Sequence, residues 1–306
     1  MGTSHLVQYQ GSKRNLAPMI INLFPNKFNR LIEPFAGSAA ISLACAHSMA
    51  SNRFLINDIN APLIKLLELT VNEPGYVSKQ YKKIWDGQHD NPLEYYNHIR
   101  ELFNETNDPI LFLYLLARCV KGAVRYNNLG KFNQSPDKRR LGTTPQKMEK
   151  NIFAVSGLLK GKSKFMSKDY REILKLANPG DLVYMDPPYQ GVCRNKDSRY
   201  YSRIHYKTFV EELEILNQND INYVISYDGQ CGNKAYGEEL PKSLNLKRLL
   251  VSAGRSSQAT LLGRDMETIE SIYISNKLAK QINDSGSQSK AIKLNIARNA
   301  NEERIF

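Results

Sequence analysis

The chain has 306 residues, of which 42% are hydrophobic, so it can bury a large core, and this argues against a fully disordered protein. Lysine and arginine number 42 against 30 aspartate and glutamate residues, which gives a formal net charge of +12. That excess favours a surface that contacts a polyanion such as nucleic acid over a merely soluble basic protein.

The four cysteines, Cys45, Cys119, Cys193 and Cys231, stand singly in the sequence. Their spacing matches neither a zinc site nor a redox dithiol, so we expect reduced thiols and no metal. The sequence has no signal-peptide pattern and no run of 18 apolar residues. These features predict a soluble, cytoplasmic protein that has no membrane segment.

The first apolar segments alternate between strand-like and helix-like patterns. Residues 30–36 predict a strand that breaks at Gly37, and 39–46 predict a helix. The unit repeats with a strand over 53–57 and a helix over 61–69. Alternation of this kind predicts a parallel sheet.

The alternation resumes in the second half of the chain. Strands are predicted over 181–185 and 223–227, with a helix over 208–218 between them. Residues 246–252 and 268–275 predict a pair of antiparallel strands. The whole pattern predicts an α/β fold with a mostly parallel sheet and a C-terminal antiparallel hairpin.

The residues between these two groups, 74–162, are predicted to form an inserted helical domain. The core would then consist of 1–73 and 163–280. Residues 281–306 would form a basic tail with a linker over 283–289. Beyond it, residues 291–306 favour a frayed terminus over a loose basic helix.

The motif Asp186-Pro187-Pro188-Tyr189 follows directly after the predicted strand 181–185. Open α/β sheets present ligands at the carboxyl ends of their strands. Methyl transfer to an aromatic amine needs acceptors for both N–H groups, and Asp186 and the Pro187 carbonyl fit that catalytic role. The two prolines fix φ, and Tyr189 offers a ring for stacking on an unpaired base. The alternative, a Pro-Pro turn with a capping aspartate, explains less of the pattern.

A second candidate site lies at residues 33–37, Glu-Pro-Phe-Ala-Gly, where the first predicted strand ends in a tight turn. Asp58 follows Gly37 by 21 positions, at the end of the next predicted strand, where an acidic residue can bind ribose hydroxyls. A dinucleotide enzyme is the competing interpretation, but the later glycines that admit a pyrophosphate are missing. The pattern favours a cofactor without a pyrophosphate, such as S-adenosylmethionine.

These motifs together resemble the DNA adenine methylase (Dam-like) family of adenine-N6-specific DNA methyltransferases, in the class whose cofactor motifs precede the catalytic one. The resemblance covers about residues 7–275. Its motifs are Gln8 to Lys13, similar to the family's Trp-x-Gly-Gly-Lys, then EPFAG at 33–37, NDIN at 57–60, Arg125-Tyr126-Asn127, Gly130 to Asn133 with Pro136, and DPPY at 186–189. Several matches in order are more specific than any one motif.

The resemblance implies a Rossmann-like, S-adenosylmethionine-dependent methyltransferase core with a helical target-recognition insertion. It implies cofactor contacts from Tyr9, Lys13, Phe35, Gly37, Asp58, Asp169, Tyr170 and Asp186. For Asp169 a helix N-cap is an equally good interpretation. The sequence departs from the family pattern at Tyr9, Ser12 and Ala39. Transfer to a flipped adenine would be direct, without a metal or a covalent intermediate.

Residues 118–140, here called the recognition segment, carry seven basic residues against one acidic residue. A solvated charged face is the ordinary interpretation of such a run, but the resemblance favours contact with double-stranded DNA. The predicted DNA contacts are Arg125, Tyr126, Asn127, Lys131, Asn133, Lys138, Arg139 and Arg140. Arg125 would read a guanine edge, Tyr126 would fill the space left by the flipped adenine, and residues 138–140 would bind phosphates.

Other functions stay open at this point. Cytosine-N4 methylation poses the same chemical problem, and RNA or protein-amide methylation fits the recognition segment less well. A non-catalytic DNA-binding protein of the same fold is disfavoured by the intact DPPY motif and Asp58. The enzyme would belong to a restriction-modification system, with a cognate restriction endonuclease as partner, or be an orphan or phage methylase.

Overall fold

The structure is a computed structural model that describes residues 5–188, 204–231, 234–236, 238–255, 267–284 and 302–305. Within these residues nine strands form one sheet. The strands are β1 Leu31–Glu33, β2 Phe54–Asn57, β3 Ser163–Met166, β4 Leu182–Met185, β5 Asn222–Cys231, β6 Lys234–Tyr236, β7 Lys247–Arg255, β8 Glu267–Ile274 and β9 Glu302–Ile305.

The helices surround this sheet. They are α1 Ala17–Ile21, α2 Ala40–His47, α3 Ala61–Asn72, α4 Pro74–Asp86, α5 Pro92–Thr106, α6 Pro109–Arg118, α7 Pro145–Leu159, α8 Tyr170–Leu174, α9 Tyr206–Gln218 and α10 Asn276–Asp284. Helices α3 to α7 each have a proline in the first turn, where its missing N–H would be unpaired in any case. Among the described residues, no helix is both long and apolar enough to cross a bilayer.

The sheet order is β3-β2-β1-β4-β5-β8-β7-β9, with β6 paired to β5. Strands β3, β2, β1, β4 and β5 run parallel, and β8 is antiparallel to both β5 and β7. This confirms the mostly parallel, Rossmann-like sheet with its antiparallel C-terminal hairpin. The strand order changes direction between β1 and β4, which is the place where such sheets bind ligands.

Both faces of the parallel strands are buried. Ile32, Leu55 and Val183 face α8 and α9, while Leu31 and Leu182 belong to a larger core on the other face. That larger core continues without a break into the buried side chains of α4 to α7. The segment 74–162 therefore shares a hydrophobic core with the sheet, and its treatment as a separate inserted domain stays a prediction.

Two strands and a helix illustrate where the structure departs from the sequence-based expectation. Strand β3 was not predicted, because its Ser-Lys-Phe-Met sequence has no buried apolar face. Helix α10 was also missed. Residues 302–305 form β9, parallel to β7, so both the frayed terminus and the loose helix considered for 291–306 are wrong there.

Candidate active site

A cleft opens at the carboxyl ends of β1, β2 and β4. Its walls include Tyr9, Lys13, Glu33, Phe35, Gly37, Asp58, Asn60, Tyr126, Asp169, Tyr170, Tyr184, Asp186, Pro187 and Pro188. All eight residues that the resemblance assigned to the cofactor thus lie around one cleft. Tyr189, the fourth residue of the DPPY motif, lies outside the described residues.

The turn after β1 is held by Asp58. Its Oδ2 accepts a hydrogen bond from the Gly37 N–H at 2.9 Å, and its Oδ1 accepts one from the Asn60 N–H at 3.0 Å. Burial raises the pKa of Asp58, and the two N–H groups oppose that rise. Gly37 has φ 50°, and a Cβ there would lie 3.2 Å from Tyr9 Cε1. The glycine therefore leaves space between the turn and the Tyr9 ring.

Glu33 is a buried carboxyl group to which the sequence assigned no role of its own. It is 2% exposed and accepts hydrogen bonds from the Ser42 N–H at 2.8 Å and from the Ser42 hydroxyl. Burial raises its pKa to about 7, and the bonds from Ser42 oppose the rise. The carboxyl group therefore ties the end of β1 to the first turn of α2.

Asn57 fixes the relative positions of three segments around the cleft. Its Nδ2 donates to the carbonyl oxygens of Pro34 and Lys168, both at 2.9 Å, and its Oδ1 accepts from the Lys168 N–H at 2.9 Å. The side chain is completely buried. Because each polar atom has a partner, the burial carries no desolvation penalty for an unpaired group.

One wall of the cleft is aromatic. The rings of Phe35 and Tyr170 lie with centroids 5.1 Å apart and planes tilted by 35°. Asp169 caps α8 by accepting from the Arg171 N–H at 2.9 Å, and it pairs with the Arg171 side chain at 2.8 Å, which lowers its pKa. The N-cap interpretation of Asp169 is therefore correct, and the residue lines the cleft as well.

Asp186 lies in a cluster of three charged groups. Lys13 Nζ is 2.9 Å from Asp186 Oδ1 and 3.5 Å from Glu270 Oε2. Burial raises the pKa of Asp186 to about 6, the Lys13 ammonium opposes this rise, and the Glu270 carboxylate adds to it. Glu270 comes from β8 and carries no sequence motif, so sequence reasoning missed it.

Tyr126, which the sequence predicted to contact the DNA, lies in the wall of the cleft. It is 9% exposed, and its hydroxyl donates to Asn60 Oδ1 at 3.3 Å. Its ring packs edge-on against Phe132, with centroids 5.9 Å apart. The ring is thus held by Asn60 and Phe132, and its role beside a flipped adenine stays a prediction.

Comparison with known proteins gives the family of the chain. A family model described as D12 class N6 adenine-specific DNA methyltransferase matches residues 9–256. The chain belongs to this family.

Several individual proteins are similar to this methyltransferase. A Type II methyltransferase of Lactococcus lactis subsp. cremoris is 26% identical over 280 residues, which are 87% of this chain and 94% of that protein. A retron Ec67 DNA adenine methylase of Escherichia coli is 28% identical over 248 residues, covering 76% and 80% of the two chains. A DNA adenine methylase of Haemophilus influenzae is 31% identical over 188 residues, covering 60% and 63%.

Most charged side chains of the recognition segment of this methyltransferase point into solvent. Arg125, Lys131, Asn133, Lys138, Arg139 and Arg140 are exposed, and Asn127 is half-buried. Arg118 is an exception to the predicted charged face. It is 2% exposed, because its guanidinium donates to the carbonyl oxygens of Asp137, at 3.0 Å, and Arg140. Arg118 thus stabilises the recognition segment through hydrogen bonds to two of its backbone carbonyl groups.

Proposed function

We propose that this methyltransferase transfers a methyl group from S-adenosylmethionine to the N6 amine of an adenine that is flipped out of duplex DNA at a specific sequence. The observation that carries the proposal is the position of Asp186 at the end of β4. It lies in the same cleft as the glycine turn and the aromatic wall.

Asp186 would act on the amine. Its carboxylate accepts one N–H and the Pro187 carbonyl accepts the other, so the nitrogen lone pair is withdrawn from the ring and becomes nucleophilic. Lys13 contacts Oδ1 of Asp186. We therefore assign Oδ2 to the adenine amine. Lys13 would keep the carboxylate in position and favour its ionised form, whereas the charge of Glu270 disfavours that form.

The cleft fits S-adenosylmethionine, which supplies an electrophilic methyl group when bound. The Gly37 turn leaves a space that a Cβ would fill, 3.2 Å from the Tyr9 ring. Phe35 and Tyr170 offer aromatic surface beside it. Each Asp58 oxygen accepts one backbone N–H and keeps a further lone pair, so the carboxylate can also accept from ribose hydroxyls.

The recognition segment would bind the DNA. Its exposed Lys138, Arg139 and Arg140 would neutralise phosphates, and Arg125 would read a base edge. Val124 and Tyr126 of this segment line the cleft, so the segment is connected directly to the catalytic site. The Type II name of the Lactococcus lactis relative supports a restriction-modification setting with a cognate endonuclease.

The experiment that tests the proposal is methylation of plasmid DNA with S-adenosylmethionine, followed by single-molecule sequencing. N6-methyladenine in one sequence context is expected. Methylation of cytosine N4 would favour the alternative base instead. A protein that neither methylates DNA nor binds S-adenosylmethionine in calorimetry would be a non-catalytic DNA-binding protein.

The pH dependence of the reaction should follow Asp186. Only the ionised carboxylate can accept from Lys13 at Oδ1 and from the adenine amine at Oδ2 together. The value of kcat/KM should therefore fall about tenfold per pH unit below about pH 6 and stay level above it. Glu270→Gln should move this midpoint to lower pH, since it removes a like charge that raises the Asp186 pKa. A midpoint that stays in place in Glu270→Gln would argue against this assignment.

Arg125 and Arg139 should affect DNA binding in different ways. Arg125→Ala should cost about 1 to 3 kcal/mol on the cognate site and relax discrimination at one base pair. Arg139→Ala, the matched control, should weaken binding to all sequences equally and reduce the slope of log affinity against log salt by about 0.9. Titrations of cognate and scrambled duplexes at several salt concentrations measure both effects. If Arg125→Ala weakens both duplexes equally, Arg125 is a phosphate ligand.

A further inference from the structure

The amino edge of the sheet carries positive charges in a row. Strands β1, β2 and β3 begin in register, and the residues directly before them are Arg30, Arg53 and Lys162. The Leu31 N–H donates to the Arg53 carbonyl at 3.0 Å, and the Phe54 N–H donates to the Lys162 carbonyl at 2.9 Å. The strand ladder therefore extends to these residues. Since adjacent strands lie about 4.8 Å apart, the row is about 10 Å long.

The same side chains line one cavity. Its walls include Arg30, Arg53, Lys162 and Lys164, here called the basic row, and uncharged residues from the same three strands and the turns before them. Among the described residues, no acidic side chain lines this cavity. Arg53, Lys162 and Lys164 are exposed, and Arg30 is half-buried. The cavity therefore presents positive charge to solvent.

One of the four cations is already neutralised. Arg30 donates through Nε and Nη2 to Asp181 Oδ2, at 3.0 and 2.9 Å. In the part of the chain that the structure describes, Arg53, Lys162 and Lys164 form no ion pair. Like charges on neighbouring strands repel each other, so an anion that binds at the basic row relieves this repulsion.

Length and charge favour the phosphate backbone of DNA as that anion. A duplex carries one phosphate per about 3.4 Å of axis on each strand, so a row about 10 Å long faces about three phosphates. An acidic protein surface would need carboxylates at a similar regular spacing. DNA has that regularity throughout, and it is the substrate of the family to which the chain belongs.

The DNA segment at the basic row is not the one in the cleft. The cleft lies at the carboxyl ends of β1, β2 and β4, whereas the basic row lies at the amino ends of β1, β2 and β3. A duplex bends little over the width of one protein, because its persistence length is about 150 base pairs. DNA in the cleft therefore leaves the opposite edge of the sheet open to a second segment.

We propose that the basic row is a second DNA-binding surface, which holds the phosphates of another duplex segment while the cleft holds the first. This inference rests on the proposed function, because it needs the cleft to take DNA. Binding through phosphates alone is independent of base sequence. With both surfaces filled, the enzyme can pass from one segment to the other without entering free solution, which shortens its search for sites on long DNA.

The test measures whether one protein molecule joins two duplexes. A donor-labelled duplex carries the site mapped on the plasmid, and an acceptor-labelled duplex carries no site. Energy transfer between them should report the ternary complex. The slope of log affinity against log salt for the second duplex should be about 2.7 in magnitude, from about 0.9 for each of three cations.

The basic-row variant combines Arg53→Gln, Lys162→Gln and Lys164→Gln. It should weaken binding of the second duplex at least about tenfold, because the three phosphate contacts are lost. The single-turnover rate of methylation on the first duplex should stay unchanged. All three positions are exposed, so the variant should fold.

A control variant removes the same charge elsewhere. Lys79→Gln, Lys83→Gln and Lys150→Gln replace three exposed lysines of α4 and α7. This variant should still form the ternary complex. Equal weakening in both variants would show that the net charge of the protein holds the second duplex, and it would overturn the proposal.

A labelled polyglutamate peptide tests the competing partner. If the peptide binds to the unaltered protein and not to the basic-row variant, while the second duplex binds equally to both, the basic row is a surface for an acidic protein and the proposal is wrong. Absence of the ternary complex would also overturn it, while methylation of the first duplex still supports the proposed function. Absence of methylation by the unaltered protein would overturn the proposed function, and the second surface with it.

Discussion

Replacing Asp186 by alanine should abolish methyl transfer while DNA binding survives. The carboxylate accepts an N–H of the reacting amine but does not hold the duplex, so its loss should lower the rate by roughly a hundred- to a thousandfold. The folded state should persist, because Lys13 keeps Glu270 as a partner 3.5 Å away. Single-turnover methylation and an electrophoretic binding assay measure the two properties separately.

Two further variants make the Asp186 result specific. Asp186→Asn keeps the shape and one acceptor oxygen but removes the charge, so it should also lose most of the activity. Asp90→Ala, at an exposed position in the loop between α4 and α5, should leave the rate unchanged. If a folded Asp186→Ala protein loses DNA binding together with methylation, the carboxylate does not have the catalytic role proposed here.

Replacing Asp58 by alanine should weaken S-adenosylmethionine binding by at least about tenfold, as expected for the loss of charge-assisted hydrogen bonds worth roughly 1.5 to 3 kcal/mol. The same change leaves the Gly37 and Asn60 N–H groups without their acceptor. The melting temperature should therefore fall as well. Calorimetry gives the first quantity and thermal unfolding without the cofactor gives the second.

Asp58→Asn separates these two effects. The amide retains one acceptor oxygen, so it should restore part of the lost stability, but it carries no charge and should restore less of the affinity. A folded Asp58→Ala protein with an unchanged dissociation constant would remove Asp58 from the cofactor site and leave it only the role of holding the turn.

The sequence predicts the parts of the fold that are built from local signals. The turn at Gly37 and the aspartate at the end of β2 each follow a short apolar run, so strand, turn and helix can all be located without tertiary information. Strand β3 cannot, because its residues gain their partners only when β2 lies beside them. The same holds for β9, whose backbone finds its partner only when β7 lies beside it.

The candidate site likewise contains residues that the sequence predicts and residues that it misses. Tyr9, Phe35 and Asp58 belong to motifs and were expected in one cleft, where the structure places them. Glu270 was not expected, because its contact with Lys13 joins residues near opposite ends of the chain. The contacts of Tyr126 with Asn60 and Phe132 were not expected either, because these partners meet it only in the folded protein.

The recognition segment has an inner and an outer side, and this bears on how such enzymes diversify. Val124 and Tyr126 face the cleft, whereas Lys131, Lys138 and Arg139 are exposed. The outer positions can accumulate substitutions without disturbing the groups that perform the chemistry. If the outer side binds DNA as proposed, changes there would alter how strongly the enzyme holds DNA while the catalytic centre is inherited intact.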